Sequence, residues 1–374
     1  MRNVSVRAFL CSEMAIFRPS KKQNPVILKV LITGADGLLG ANIVRRALRQ
    51  GYQVRVLQLP SSQSPVLKGL PVELSKGNLL NAPEVDRAVA GCDYVIHAGA
   101  STSVWPSRSA ATVAVNVRGT QHIIASCLKH GVRRVVFISS AASFSKGTLE
   151  NPGDETGVFD GYRYGLDYID SKYRAHQMVK KAVRGQGLPA VLVCPTFMFG
   201  PYDSKPSSGA MLLAVVQGTL PFYTRGGKNF VDARDVAAAA CNGLKMGRVG
   251  ESYIAGHQNL TYADLFKLIG QTLEANPPRF RIPSPLVLSY GRLHSLLAPR
   301  LGYDPMISLP IARISCDGQY FSPAKAVAEL QMPQTPLAVT IRDAYQWLEQ
   351  HQSGLSGDTK VGPPIQKIPN PANS

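Results

Sequence analysis

From residue 27 the chain alternates short apolar runs with longer stretches of mixed polarity. ILKVLIT (27–33), QVRVLQL (53–59), DYVIHAG (93–99), RVVFISS (134–140) and PAVLVCP (189–195) are apolar almost throughout, and PVELSKG (71–77) is a weaker example. Strands of a parallel sheet read this way because helices cover both faces and leave no wet side. Helical spacing fills the intervals at 38–50, 83–90, 109–130 and 168–186. The expected fold is α/β: a Rossmann-type doubly wound parallel sheet over residues 27–200. After residue 200 the rhythm changes. Helices are expected at 208–217, 233–246, 261–274, 285–297, 323–330 and 336–350, with short strands at 221–224, 252–255 and 280–282. Residues 201–351 therefore read mostly as a smaller, largely helical C-terminal substrate-binding lobe, with a return of later segments to the Rossmann domain left open. PLVLSYGRLHSLLAPRL (285–301) is amphipathic and basic. Apolar helix faces usually pack inward, so it is expected to face the core rather than a membrane.

Composition narrows the class. At 374 residues, 45% hydrophobic and 17% charged, the chain can bury a sizeable core without disulfides or a structural metal. Its cysteines (Cys11, Cys92, Cys127, Cys194, Cys241, Cys316) are scattered without CxxC spacing, which argues against zinc and for a reduced, cytoplasmic chain. The net charge of +17 favours anionic ligands or surfaces. No long Lys/Arg run or aromatic-studded basic stripe accompanies it, so nucleic acid is not an expected partner. No apolar run reaches 18 residues, so no transmembrane helix is expected. Residues 1–26 are basic and acid-poor without a secretory apolar region. They read as a disordered leader, with a weaker resemblance to a targeting peptide and Met14 as an alternative start. Residues 352–374 are rich in Gly, Pro and Ser and read as a disordered tail.

Two stretches carry chemistry. VLITGADGLLG places Gly34, Gly37 and Gly40 after the first strand and at the opening of a helix, with Asp36, Leu38 and Leu39 between them. Such a turn lets a pyrophosphate approach backbone N–H groups at the positive end of the helix dipole. In YRYGLDYIDSK (162–172), Tyr168 and Lys172 stand four residues apart and share a helix face. An ammonium beside a phenol favours the phenolate and lowers its pKa, suiting it to proton transfer. Alone, that pair also fits an exposed helix that happens to carry a Tyr and a Lys.

Further blocks follow in order: GCDYVIHAGAS (91–101), NVRGT (116–120), VVFISSAAS (135–143), YIDSK (168–172), CPTFMFGP (194–201) and FVDARDVAAA (230–239). Together with the glycine turn they resemble the extended short-chain dehydrogenase/reductase (NAD-dependent epimerase/dehydratase) family over residues 28–351. The dihydroflavonol-reductase-like and hopanoid-associated epimerase-like subgroup is nearest. The resemblance implies Tyr168 as general acid/base, Lys172 as its electrostatic and ribose-binding partner, and Ser140 holding the substrate oxygen, with Ser139 as runner-up. It implies cofactor contacts from the glycine turn, from Asn78 and Leu79 at the adenine, from Ala98, Gly99 and Ala100, and from Pro195 and Met198 at the nicotinamide. His97 is expected to pack, Asn116 to support the proton-relay region or cap a helix, and Asp232 and Asp235 to organise the second lobe.

The departures from the family pattern matter too. Gln58 and Leu59 replace both the acid of NAD-preferring relatives and the arginine of NADP-preferring ones, so the cofactor is NAD or NADP with a slight lean to NADP. Ala141 and Ala142 follow Ser140 where dehydratases carry Asp-Glu, so elimination is not expected. The Gln-x-Arg element of sugar-nucleotide epimerases is absent, although Arg225 and Lys228 could meet phosphates. The resemblance implies an NAD(P)-dependent oxidoreductase interconverting a secondary alcohol and a ketone on a small organic substrate. A sugar or nucleotide-sugar epimerase and a non-catalytic dinucleotide sensor are the alternatives, and a homodimer through the helices at 109–130 and 168–186 is expected by analogy.

Overall fold

The computed structural model describes residues 27–355, with side chains through residue 351. The expected leader, and the tail beyond residue 355, lie outside the described residues. The principal sheet has seven strands: β1 (Lys29–Thr33), β2 (Gln53–Gln58), β3 (Val72–Lys76), β4 (Tyr94–His97), β5 (Arg134–Ile138), β6 (Ala190–Pro195) and β7 (Ser252–Ala255). They lie in the order β3-β2-β1-β4-β5-β6-β7, every neighbouring pair parallel. This is the Rossmann-type sheet that the apolar runs predict.

Alternation along each strand sends neighbours to opposite faces. In β1, Val30 and Ile32 enter one apolar layer and Leu31 the other. Both layers are dry, so the strand reads as continuously hydrophobic. The helices Leu38–Arg49 and Ala233–Asn242 pack together on the first face, and Ala82–Val89, Gly119–Lys129 and Asp167–Gln186 cover the second. β3, at the sheet edge, has no buried residue, which accounts for its weak signal.

Several expectations need correction. Residues 252–255, read as a short strand beyond residue 200, are a later segment that returns to the principal sheet, beside β6, and all of β7 is buried. The expected helix 109–130 is interrupted: Ala110–Val113 runs into a π turn at Ala114–Arg118 before Gly119–Lys129. The last helix, Leu337–Leu355, extends past residue 351 into the start of the expected tail.

The second lobe is more mixed than predicted. Phe197–Phe199, Gly227–Asp232, Gln258–Thr261 and Gly318–Gln319 form a small sheet, and Phe222–Tyr223 pairs with Phe280–Arg281. Around it lie Gly209–Val216, Tyr262–Leu273, Ser284–Leu301, Leu309–Cys316 and the last helix. Its core stacks Phe199 on Phe230 among Leu212, Leu265 and Ile341. The helix Ser284–Leu301 follows the core-facing expectation on one face only. Only Val287, Gly291 and Ala298 are buried, and most of its leucines are exposed.

Candidate active site

The carboxyl ends of β1, β4, β5 and β6 gather the expected residues along one edge, the edge at which open α/β sheets bind ligands. Gly34 leaves β1 with φ +69°, and a Cβ there would stand 2.7 Å from the Gly99 Cα. Gly37 is different: a Cβ would meet only the Gly34 carbonyl, at 3.6 Å, and the residue is exposed. Gly37 also N-caps Leu38–Arg49 without a side-chain cap, and no acid lies in the first turn of that helix. The helix end thus presents free N–H groups and positive dipole potential toward open space, a cradle that fits a pyrophosphate. Leu39 turns its side chain into the core, so its contribution there is a backbone N–H.

Around the cradle, the turn after β4 is fastened by buried polar groups. Thr33 Oγ1 accepts from the Gly99 N–H at 2.9 Å and bonds His97 Nδ1 at 2.7 Å. His97 Nε2 reaches Thr120 Oγ1 at 3.2 Å. Burial pushes the imidazole pKa down to about 3, so His97 is a neutral strut, as expected. Ala98, Gly99 and Ala100 are half-buried beside it, and a Cβ on Gly99 would press on Leu79 and Thr33 at 3.0 Å. Asn78 spends its carbonyl oxygen on the Leu80 N–H (2.9 Å). At the end of β2, Gln58 Oε1 accepts from Lys76 Nζ at 2.8 Å, while Asp36 receives the Ser62 hydroxyl at 3.3 Å and lies 3.6 Å from Lys205. One added cation and one carboxylate therefore border the region where the ribose is expected.

Tyr168 sits in the first turn of Asp167–Gln186. Asp167 anchors that turn by accepting from the Ser109 N–H (2.7 Å) and from Arg108 (2.8 Å). The Tyr168 phenol lies close to the Ser140 hydroxyl, which itself accepts from the Ala142 N–H at 3.2 Å. Burial raises the phenol's pKa above the ordinary value, and the nearby Ser140 hydroxyl acts in the opposite direction. The expected lowering by Lys172 is not seen. The Lys172 Nζ donates to the Ile138 carbonyl at 2.7 Å, and burial brings its own pKa down to about 8.

The two serines that close β5 separate cleanly. Ser139 is buried and bonds His176 Nδ1 at 2.8 Å, whereas Ser140 accepts from the Ala142 N–H and lies close to the phenol. His176, which the sequence reading missed, links Ser139 to Ser252 of β7 and is held neutral by burial, its pKa pushed down to about 3. Its place one turn beyond Lys172, on the Tyr168–Lys172 face, was the available signal. Asn116 lies in the π turn rather than at a cap: it accepts from the Ser101 N–H (2.8 Å) and donates to the Ser101 carbonyl and to Ser171.

Beyond β6, Pro195 is buried and Met198 half-buried at the junction of the lobes. Thr196 donates to Asn229 Oδ1 at 2.8 Å and couples the end of the sheet to the second lobe. Lys228 donates to Gln319 Oε1 at 3.0 Å over the Phe197 ring, and burial lowers its pKa to about 8. Arg225 is exposed and donates to the Cys316 carbonyl. Asp232 caps Ala233–Asn242 and pairs with Arg234, and Asp235 holds Thr335, so both are structural as expected. A cluster that the sequence did not suggest joins the lobes: Asp317 accepts from the Tyr164 hydroxyl (2.7 Å) and pairs with Lys146 (2.6 Å).

Comparison with known proteins agrees with this architecture. The profile of the NAD-dependent epimerase/dehydratase family matches residues 30–256. A Synechocystis protein provisionally named dihydroflavonol 4-reductase is 31% identical over 330 residues, covering 86% of this chain and 94% of that one. The crystal structure of gox2253 superposes with a TM-score of 0.77 at 30% identity, over 86% of this chain and 98% of that one. A nucleoside-diphosphate-sugar epimerase from Pseudomonas aeruginosa superposes with a TM-score of 0.69 at 26% identity, over 87% and 98%. The matched span runs from the glycine turn through the Ser140–Tyr168–Lys172 cluster to β7. The chain belongs to the NAD-dependent epimerase/dehydratase family and is an enzyme that works with NAD or NADP.

Proposed function

We propose that the chain is an NAD(P)-dependent oxidoreductase interconverting a secondary alcohol and a ketone on a small organic substrate. One observation carries the reading: the Tyr168 phenol, with Ser140 close by, stands one helical turn from a buried Lys172 at the edge that holds the glycine turn. When bound, the dinucleotide supplies or accepts the hydride. The backbone N–H groups of Leu38 and Leu39 and the close approach at Gly37 would hold its phosphates, with Ala98 to Ala100, Asn78, Pro195 and Met198 along its length. The chain's own part is to place and protonate oxygen. Ser140 orients the substrate oxygen. Tyr168, a neutral phenol in the present surroundings, donates its proton as negative charge grows on that oxygen, or takes it back in the oxidative direction. Lys172 sets the charge around the phenol and offers donors to a ribose hydroxyl.

The epimerase reading is favoured by the likeness to the Pseudomonas aeruginosa epimerase structure. Both readings use the same three side chains, but they differ in redox balance. The test supplies the purified chain with NADH or NADPH and a panel of ketones, following nicotinamide absorbance and the alcohol product. The oxidoreductase reading predicts stoichiometric consumption of reduced cofactor. Turnover of a nucleotide sugar without net consumption would give the site to epimerisation instead.

A further inference from the structure

We propose that the helix Ser284–Leu301, with the strand end that precedes it, is a face on which the chain docks to an anionic lipid surface. The proposal goes beyond the catalytic reading and does not depend on it. The inner side of this helix is already served. Val287, Gly291 and Ala298 are buried, and Val287 packs with Ala312 and Cys316 of the helix Leu309–Cys316. The fit is tight enough that a Cβ on Gly291 would stand 2.9 Å from the Ala312 Cβ. Nothing in the core calls for the leucines on the other side.

Those leucines form a second apolar stripe. Leu286 (59% exposed), Tyr290 (42%) and Leu293 (54%) follow the i, i+4, i+7 spacing of one face, and Leu296 (56%) and Leu301 (67%) flank it. Phe280, 69% exposed, lies just before the helix, and its register partner on the neighbouring strand, Phe222, is 49% exposed. Isolated apolar side chains on a surface need no explanation, but a face of this extent does.

Charge selects the occupant. Between residues 275 and 313 the chain carries Arg279, Arg281, Arg292, Arg300 and Arg313 against a single acid, Asp304. The five arginines are exposed, and among the described residues none of them forms an ion pair. A second copy related by a twofold axis would bring this cationic border against itself, which disfavours self-association. An anionic headgroup layer meets the arginines while the leucines and Phe280 enter the acyl boundary. No helix among the described residues is long and apolar enough to cross a membrane, so the contact proposed is one that lies on the surface.

The test floats the full chain with vesicles of phosphatidylcholine, alone or with phosphatidylglycerol added, at low salt. Binding is expected to the anionic vesicles and to be about tenfold or more weaker to the zwitterionic ones. The variants Leu293→Glu/Leu296→Glu and Arg279→Gln/Arg281→Gln/Arg292→Gln are each expected to lose most of that binding while retaining native circular dichroism. Leu293→Trp gives a reading that does not depend on the charged variants folding: its emission should shift to the blue, relative to the parent chain, only with anionic vesicles. Three results would overturn the proposal: no flotation at low salt, full binding by the leucine double variant, or a dimer in sedimentation velocity that this double variant dissociates.

Discussion

Tyr168 and Lys172 share a helix face, yet their electrostatics differ from the simple picture of an ammonium acidifying a phenol. The lysine nitrogen is committed to the Ile138 carbonyl, and the phenol is a weaker acid than free tyrosine. A proton on Tyr168 is therefore available for donation at neutral pH, which suits reduction of a carbonyl. The two serines give a sharp contrast. Ser140→Ala removes the hydroxyl beside Tyr168 and is expected to lower kcat by about 10²-fold or more, with about 1 kcal/mol of stability lost from its cap on the Ala142 N–H. Ser139→Ala leaves His176 Nδ1 without its buried partner, so it is expected to cost about 1–3 kcal/mol of stability while kcat of the folded fraction changes little. Steady-state kinetics alongside thermal unfolding separate the two. Cofactor choice belongs to this scale as well. Asp36 puts a carboxylate beside the loop after β2, where it repels a 2′-phosphate, whereas Lys76 on Gln58 attracts one. Asp36→Ser is expected to raise kcat/KM for NADPH relative to NADH.

Among the elements, the glycine turn offers two substitutions with opposite consequences. A Cβ on Gly37 makes only an ordinary contact within the chain, so Gly37→Ala should fold normally but weaken dinucleotide binding by about tenfold or more, because the methyl group occupies the ligand's side of the turn. A Cβ on Gly40 would overlap the Gly34 carbonyl, so Gly40→Ala should lose roughly 1–3 kcal/mol or more of stability before binding is considered. Calorimetric titration and unfolding distinguish these outcomes. The turn and the Tyr168–Lys172 pair were legible in the sequence because short-range spacing fixes their geometry. So were β1, β5 and β6, whose burial on both faces leaves a continuous apolar run. The sequence leaves open which sheet β7 joins, because a four-residue run carries no period to say so. The helix at 285–301 misled for another reason: its apolar content is divided between two faces, and only packing against Leu309–Cys316 shows which face is inward. The different partners of Ser139 and Ser140 likewise come from tertiary contacts, which one sequence does not supply.

At the scale of the whole molecule, two buried imidazoles tie the sheet to its covering elements. His97 joins Thr33 to Thr120, and His176 joins Ser139 to Ser252. Burial holds both pKa values near 3, against an ordinary 6.5. Below pH 6.5 the unfolded chain takes up a proton on each imidazole, while the folded chain does so only near pH 3. Stability is thus expected to fall as the pH drops through that window, by up to about 1.4 kcal/mol per pH unit for each histidine. Urea titrations from pH 7 to pH 4 measure the slope. His176→Asn should reduce it by about half of the histidine contribution, and an unchanged slope would remove His176 from the account. The Asp317 cluster with Tyr164 and Lys146 ties the second lobe to the segment just before the helix that carries Tyr168.

The central claim is that the phenol of Tyr168 moves the proton. The direct measurement is Tyr168→Phe, comparing single-turnover rates and dinucleotide dissociation constants with those of the parent chain. The account predicts a fall in rate of about 10³-fold or more, with the dissociation constant changed by less than about threefold. A variant that turns over at the parental rate would contradict it.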